Sequence, residues 1–347
     1  MATTVELAQR LAPYITSVEA AMRAAVEPPD SLLTPHYGML QYHLGWVDEA
    51  FRPINGRTGK RLRPVFLLLA NQAVGGDWRQ ALPAAAAIEL THNFSLIHDD
   101  VEDRDAERHG RLTLWKRWGD AQAINAGDAL FVLARLELSR LLECGVSPMT
   151  LAAAQASYDR ACLAITEGQH LDMAFENRVD VTEAEYLRMV RGKTAALLAA
   201  STRIGAQVAE ATPAMVERLT RFGEAVGLAF QIADDGLGIW GDPRLTGKQA
   251  ANDIRHRKKS LPVAFAFERA QGEAARDLAR LYSQSKLGDA EVARVLAILD
   301  GVGAQEHAEA LADRYHEQAL TLLEPLSDTE AGATLRELTR SLAGRAF

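Results

Sequence analysis

The stretch ALPAAAAIELTHNFSLIHDDVED, residues 81–103, decides how the chain is read. Its apolar, alanine-rich body is too long for a strand, and its polarity gathers at the C-terminal end, so the pattern predicts one helix from Leu82 to Glu102 that ends in acid. Asp99 and Asp103 lie four apart, hence about 6 Å apart on one helix face, while Asp100 projects from an adjacent angle. Two carboxylates so spaced leave room for Mg²⁺ between them, with the remaining oxygen ligands supplied by a phosphate. A solvated helix end is the plainer alternative. The preceding turn, Phe94-Ser-Leu-Ile97, is largely apolar and favours a cavity edge over an open face.

Outward from this segment, a second acidic set appears in Phe230-Gln-Ile-Ala-Asp234-Asp235, followed by Gly236-Leu-Gly238. Position 238, the i+4 partner of Asp234, has no carboxylate, so Asp234 carries most of any metal binding there. Gln231, one turn earlier, is placed to hydrogen-bond a phosphate or a metal-bound water. Carboxylates in such numbers repel one another unless cations sit between them. Matching cations are present: Lys60 and Arg63 in Thr58-Gly-Lys-Arg-Leu-Arg-Pro64, His92, Arg108, Lys193 beside Thr194, Lys248 and Lys258. A diphosphate bound through Mg²⁺ needs such donors to stabilise the charge that develops as it leaves.

Helical spacing continues through residues 5–26, from Pro35 to the break near Pro53, over 65–73 and from Gly119 to Leu142. It resumes at about 149–175, 182–207, 213–240, 258–270, 289–299, 303–323 and 328–343. There is almost no period-two alternation, no long heptad array and no repeat of solenoid period. The expectation is an all-α fold, a single domain over 1–347 around one core. A polar, glycine-containing loop from Gly241 to Lys259 follows the second acidic set, positioned to close over an anionic ligand.

Composition excludes several classes of function. The net charge of −8 signals no basic surface, so no nucleic-acid partner is expected. Cys144 and Cys162 lack metal-ligand spacing and read as free thiols in a reducing compartment. No apolar run is long enough to cross a bilayer, which points to a soluble cytoplasmic protein without stable membrane insertion. The glycines lack dinucleotide-binding spacing, and Thr246-Gly-Lys248 lacks the upstream glycine of a P-loop. Adjacent His98 and Asp99 point in different directions and do not suit zinc.

Taken together, Thr58–Pro64, Phe94–Asp103, Arg108-His-Gly-Arg-Leu-Thr113, Gly192-Lys-Thr194, Phe230–Asp235 and Lys258-Lys-Ser-Leu-Pro262 resemble the trans-isoprenyl diphosphate synthase (polyprenyl synthetase) family, in order and spacing, over roughly residues 35–325. The motif pattern is most similar to bacterial geranylgeranyl diphosphate synthases. The resemblance implies a helical bundle around a deep central apolar cavity, a homodimer, and Mg²⁺-dependent condensation of isopentenyl diphosphate with an allylic diphosphate. It implies that Asp99, Asp103 and Asp234 bridge three Mg²⁺ ions to the allylic diphosphate, with Asp100 and Asp235 supporting. Arg108, Lys193, Lys248 and Lys258 would hold that diphosphate, with Thr194 and Gln231 nearby, while Lys60, Arg63 and His92 would hold isopentenyl diphosphate.

Two positions depart from the family pattern. His109 stands where a second arginine contributes to isopentenyl diphosphate binding, and Gly238 replaces the last acid of the second motif. Phe94, with Ser95 beside it and no insertion in the acidic motif, resembles the chain-length floor of a C20 synthase, so geranylgeranyl diphosphate is the expected product. The alternatives are a class I terpene cyclase acting on a preformed prenyl diphosphate, disfavoured by Lys60, Arg63 and His92, and an inactive partner subunit of a heteromeric prenyltransferase.

Overall fold

A computed structural model describes residues 2–54, 56, 59–242, 251–284 and 286–343. The elements are α1 (Ala2–Ala25), α2 (Thr34–His43), α3 (Leu62–Ala73), α4 (Leu82–Glu102), β1 (Glu107–Arg108), β2 (Arg111–Leu112), α5 (Leu114–Trp118), α6 (Asp120–Ser139) and α7 (Pro148–Phe175). There follow α8 (Glu183–Val190), a π-helical turn (Arg191–Ala195), α9 (Ala196–Val208), α10 (Pro213–Trp240), α11 (Asn252–Arg255), α12 (Leu261–Arg269), α13 (Gly272–Tyr282), α14 (Asp289–Gly301), α15 (Ala304–Leu322) and α16 (Glu330–Ala343). The chain is predominantly α-helical, and its contacts divide into two compact units.

The first unit comprises residues 1–157 and 201–213. Its centre is α4, packed along α6 and against α3 and α1. Ala84 to Ala87, Ile88 and Leu90 are all fully buried, as expected of a helix apolar around its circumference. Each large apolar side chain so placed contributes roughly 1.5–3 kcal/mol relative to exposure. Asn71 of α3 donates to the Gly205 carbonyl at 3.0 Å and fixes the C-terminal half of α9 in this unit.

The second unit comprises residues 158–200 and 214–347. One apolar cluster joins the end of α10 to α11, α12, α13 and α14 through Ile239, Ile254, Val263, Tyr282 and Val295. Another joins α8, α10, α12 and α15 through Tyr186, Met189, Leu228, Ile232, Leu261 and Leu311. Helix α8 starts at a capping box in which Thr182 Oγ1 accepts from the Glu185 N–H and Glu185 accepts from the Thr182 N–H.

Several boundaries differ from the sequence expectation, each for a local reason. The second helix stops at His43 instead of continuing to Pro53, because Gly45 adopts φ 82° and the Gly45 and Trp46 N–H groups turn back to Tyr42 and Gln41. The segment after α4 contains a two-residue hairpin turned by His109 and Gly110, both at positive φ. The helix expected over 119–142 divides into α6 and a 3₁₀ turn at Arg140–Leu142. The stretch 182–207 is interrupted by the π turn, and α12 starts at Leu261, three residues later than expected. Helix α13 has no counterpart in the sequence expectation, although it separates apolar from charged residues sharply; it buries Leu278, Leu281 and Tyr282.

Candidate active site

Within the first unit, the last turn of α4 continues through Asp103, whose N–H donates to the Asp99 carbonyl at 2.8 Å. Asp99 is half-buried, Asp103 exposed and Asp100 buried. The hairpin brings Arg108 back onto this turn, where Nε donates to Asp100 Oδ1 at 2.7 Å and Nη2 lies 3.5 Å from Asp99 Oδ2. Burial pushes the Asp100 carboxyl up to about 6, against the opposing pull of Arg108. Asp100 therefore anchors the arginine, and Asp99 and Asp103 are the more accessible pair.

The three cations of the Lys60–Arg63 segment have different fates. Arg61, at φ 51°, turns inward and pairs with Glu89 at 2.8 Å and Glu19 at 2.6 Å. Lys60 is exposed. Arg63 keeps a buried Nε without a hydrogen-bond partner among the described residues, and burial lowers its pKa against the pull of Glu89. His92 and His43 share this environment. Burial, and then Arg63 and Arg108, hold His92 well below the ordinary histidine range; burial, Arg108 and His109 bring His43 down to about 3. A concentration of positive charge with an orphaned donor favours an anion.

The second unit builds its set around Asp235, which is fully buried on α10. Its Oδ1 accepts from Gln231 Nε2 and Lys258 Nζ, each at 3.0 Å. Its Oδ2 accepts from the Tyr186 hydroxyl and, at 3.1 Å, from the Leu261 N–H at the start of α12. One carboxylate thus joins α8, α10 and α12. Burial, and then Asp235, raise the Tyr186 hydroxyl well above the usual tyrosine range, so Tyr186 is a donor at any ordinary pH. Burial disfavours the Lys258 ammonium, but Asp235 and Asp253 outweigh it and raise its pKa. Asp234, on the neighbouring face, is exposed.

The π turn carries the remaining groups. A Cβ on Gly192 would lie 2.6 Å from the Ala164 carbonyl oxygen, so α7 and the turn approach as closely as they do because the position is glycine. Beside it Lys193 Nζ donates to Asp172 of α7 at 2.6 Å, and Thr194 Oγ1 donates to Gln231 Oε1 at 2.9 Å. Thr194, Gln231, Asp235 and Lys258 form one continuous polar chain. A separate open cavity of about 540 Å³ lies along α7 and α8, lined by Glu167, His170, Arg188 and Arg191 among others; its lining includes none of the predicted site residues.

The first unit brings together Asp99, Asp100, Arg108, Arg63 and His92, and the second brings together Lys193, Thr194, Gln231, Asp235 and Lys258. Exposed His109 occupies the hairpin turn. Ser95 Oγ donates to the His92 carbonyl, and the buried Phe94 ring lies 5.0 Å from that of Phe131. Lys248 lies outside the described residues. Sequence reading missed His43, Asp172 and Tyr186. Nothing local in the sequence marked His43, Asp172 or Tyr186, whose roles depend on partners far along the chain.

The exposed and half-buried donors are carboxylate oxygens, the chemistry that Mg²⁺ prefers. Among the described residues no three His, Cys, Asp or Glu side chains converge into a self-contained metal cage. Mg²⁺ is commonly held by one or two carboxylates together with phosphate oxygens and water, and the Asp99–Asp103 pair and Asp234 fit that habit.

Residues 45–299 match the polyprenyl synthetase family model. The chain is 41% identical over 319 residues to a (2E,6E)-farnesyl diphosphate synthase of Mycobacterium tuberculosis, covering 90% of this chain and 87% of that one. It is likewise 41% identical over 295 residues to a geranylgeranyl diphosphate synthase of the same organism, covering 85% and 83%. A crystal structure of geranylgeranyl pyrophosphate synthetase from Pyrococcus horikoshii superposes with a TM-score of 0.88 at 31% identity, covering 98% of each chain. Helical fold, paired acids with their cations and similarity along nearly the whole length lead to one assignment: the chain is a prenyltransferase of the polyprenyl synthetase family, the Mg²⁺-dependent trans-isoprenyl diphosphate synthases.

Proposed function

We propose that this enzyme adds isopentenyl diphosphate to allylic diphosphates and releases all-trans geranylgeranyl diphosphate, C20. Asp99, Asp103 and Asp234 are assigned to three Mg²⁺ ions, which when bound neutralise the allylic diphosphate and make it a better leaving group. Arg108, Lys193, Lys258 and Lys248 hold that diphosphate. Lys60, Arg63 and His92 hold isopentenyl diphosphate, with His43 and His109 in the same electropositive region. The observation that carries this reading is the buried Arg63 Nε, without a hydrogen-bond partner among the described residues, in a cluster where burial, and then Arg63 and Arg108, hold His92 well below the ordinary histidine range; positive charge so concentrated favours an anion.

The chemistry follows from charge. Cationic donors around the diphosphate lower the cost of breaking the allylic C–O bond, and the electron pair leaves with the diphosphate. The C3–C4 alkene of isopentenyl diphosphate attacks the allylic cation, forming the new C–C bond. Loss of a proton from C2 restores a double bond, and the departed diphosphate accepts it. Water exclusion protects the cation from capture.

The C20 assignment rests on Phe94, whose buried ring is braced by Phe131 and, edge-on at 5.6 Å, by His98. The test is an assay with C5, C10 and C15 allylic primers plus isopentenyl diphosphate, reading product length by mass spectrometry in the parent and in Phe94→Ala. The expected result is C20 from every primer in the parent and longer chains from the variant. A parent that stops at C15, or an unchanged distribution in the variant, rejects the floor.

A further inference from the structure

We infer that Arg111 is a positioning residue: together with Tyr42 it latches the β1–β2 hairpin to the end of α2, and through the hairpin it sets Arg108 against Asp99 and Asp100. This rests on the reading that Arg108 holds the allylic diphosphate. A hairpin of two-residue strands is not stable in water by itself, so an arginine carried on one is only as well placed as the hairpin's anchor.

The hairpin's register sets Arg108 directly opposite Arg111. Opposed residues of an antiparallel pair project from one face, and like charges so placed repel, so each guanidinium needs acceptors of its own. Arg108 finds them on α4, where its Nε donates to Asp100 Oδ1 at 2.7 Å. Arg111 finds them at the end of α2. Its Nη1 donates to the Tyr42 carbonyl at 3.0 Å and its Nη2 to the Val47 carbonyl at 2.7 Å. Those carbonyls lie on either side of Gly45, whose φ of 82° turns the chain so that one guanidinium reaches both. Arg111 Cζ also lies 3.8 Å from the centre of the Tyr42 ring, in a cation–π contact.

Tyr42 completes the latch from the other side. Its hydroxyl donates to the Leu112 carbonyl at 2.9 Å, and Trp118 of α5 meets its ring edge-on at 4.9 Å. One tyrosine thus grips the hairpin through its carbonyl, its ring and its hydroxyl. The planar fork of arginine spans two carbonyls with donors in fixed directions, a geometry that the ammonium of lysine does not match. Because these acceptors are backbone carbonyls, the latch leaves the carboxylates of Asp99 and Asp100 to Arg108.

The test uses the full chain in five variants: Arg111→Ala, Arg111→Lys, Tyr42→Phe, Arg108→Ala, and Arg108→Ala with Arg111→Ala. kcat/KM for the allylic substrate is measured at saturating isopentenyl diphosphate, and hydrogen exchange is followed across residues 104–113. Arg111→Ala should lower kcat/KM by about 10-fold or more, as a misplaced group at a reacting centre does. Arg111→Lys should stay at least about 3-fold below the parent, because it restores the charge without the fork. Tyr42→Phe deletes one oxygen and keeps the ring; it should lose about 3-fold, and it carries the test if Arg111→Ala does not fold. In the Arg108→Ala background, Arg111→Ala should cost less than about 2-fold, since a residue that acts through Arg108 then has nothing to position. Additive losses in that background, or an Arg111→Ala enzyme as active as the parent, overturn the inference. Should Arg108→Ala itself keep the parent's kcat/KM, the reading of Arg108 fails, and exchange still decides the latch. Arg111→Ala and Tyr42→Phe should exchange faster than the parent at residues 104–113 and at the parent rate in α6; unchanged exchange at 104–113 contradicts the latch.

Discussion

Asp234 and Asp235 differ by one position and by almost everything physical. Asp235 accepts four hydrogen bonds and is fully buried, whereas Asp234 is exposed. Asp235→Ala would strand the Lys258 ammonium and the Tyr186 hydroxyl, so it should cost about 3–5 kcal/mol in denaturant unfolding. Asp234→Asn should stay within about 0.5 kcal/mol of the parent yet lose Mg²⁺-dependent turnover. Equal stability losses from both changes would contradict this division. His43 adds a pH dependence. Its folded pKa, about 3, lies below the ordinary 6.5 because of burial and of Arg108, His109, Arg61 and Arg111. As pH falls from about 6.5 toward 3 the unfolded chain binds a proton that the native one refuses, so stability falls across that window. His43→Gln should flatten this acid limb in unfolding measured at pH 4 and pH 7. The sequence shows the aspartate doublets plainly, but not which member faces inward, since that follows from α8 and α12, which are remote along the chain from Asp235, and from the fold-back of the hairpin that returns Arg108 to Asp100.

At the scale of elements, the π turn between α8 and α9 shows what periodicity misses. The stretch 182–207 reads as one helix because its apolar spacing barely falters, and a π turn inserts only a small phase shift. That shift places Lys193 on Asp172 and Thr194 on Gln231. Gly192→Ala would press a methyl group against the Ala164 carbonyl, with an expected stability loss of about 1–3 kcal/mol. Its larger effect should be on kcat, through Lys193. A variant that melts like the parent and turns over at the parent rate would show that the close approach is unnecessary. The hairpin was equally hidden: two-residue strands leave no alternation to read, and only the His109-Gly110 pair hinted at a turn. By contrast α4 emerged with the expected boundaries, because a long helix buried on nearly every side leaves an unmistakable apolar run.

Across the whole molecule, helices dominate both units, in keeping with the alanine-rich, aromatic-poor composition. Helix α6 exposes Ile124, Val132 and Leu136 along one stripe, at 46%, 52% and 60%. We propose that a second copy of the chain covers it; light scattering should give a dimer for the parent and a monomer for Leu136→Asp, and a monomeric parent would refute the proposal. None of the helices is long and apolar enough to cross a membrane among the described residues. The central claim is condensation driven by Mg²⁺-assisted departure of diphosphate. It is tested most directly by incubating the purified chain with labelled isopentenyl diphosphate and an allylic primer, with and without Mg²⁺, and counting label in the organic product. Incorporation that requires Mg²⁺ and disappears in Asp99→Ala is the predicted result; a folded parent enzyme that incorporates no label with Mg²⁺ present would contradict the account.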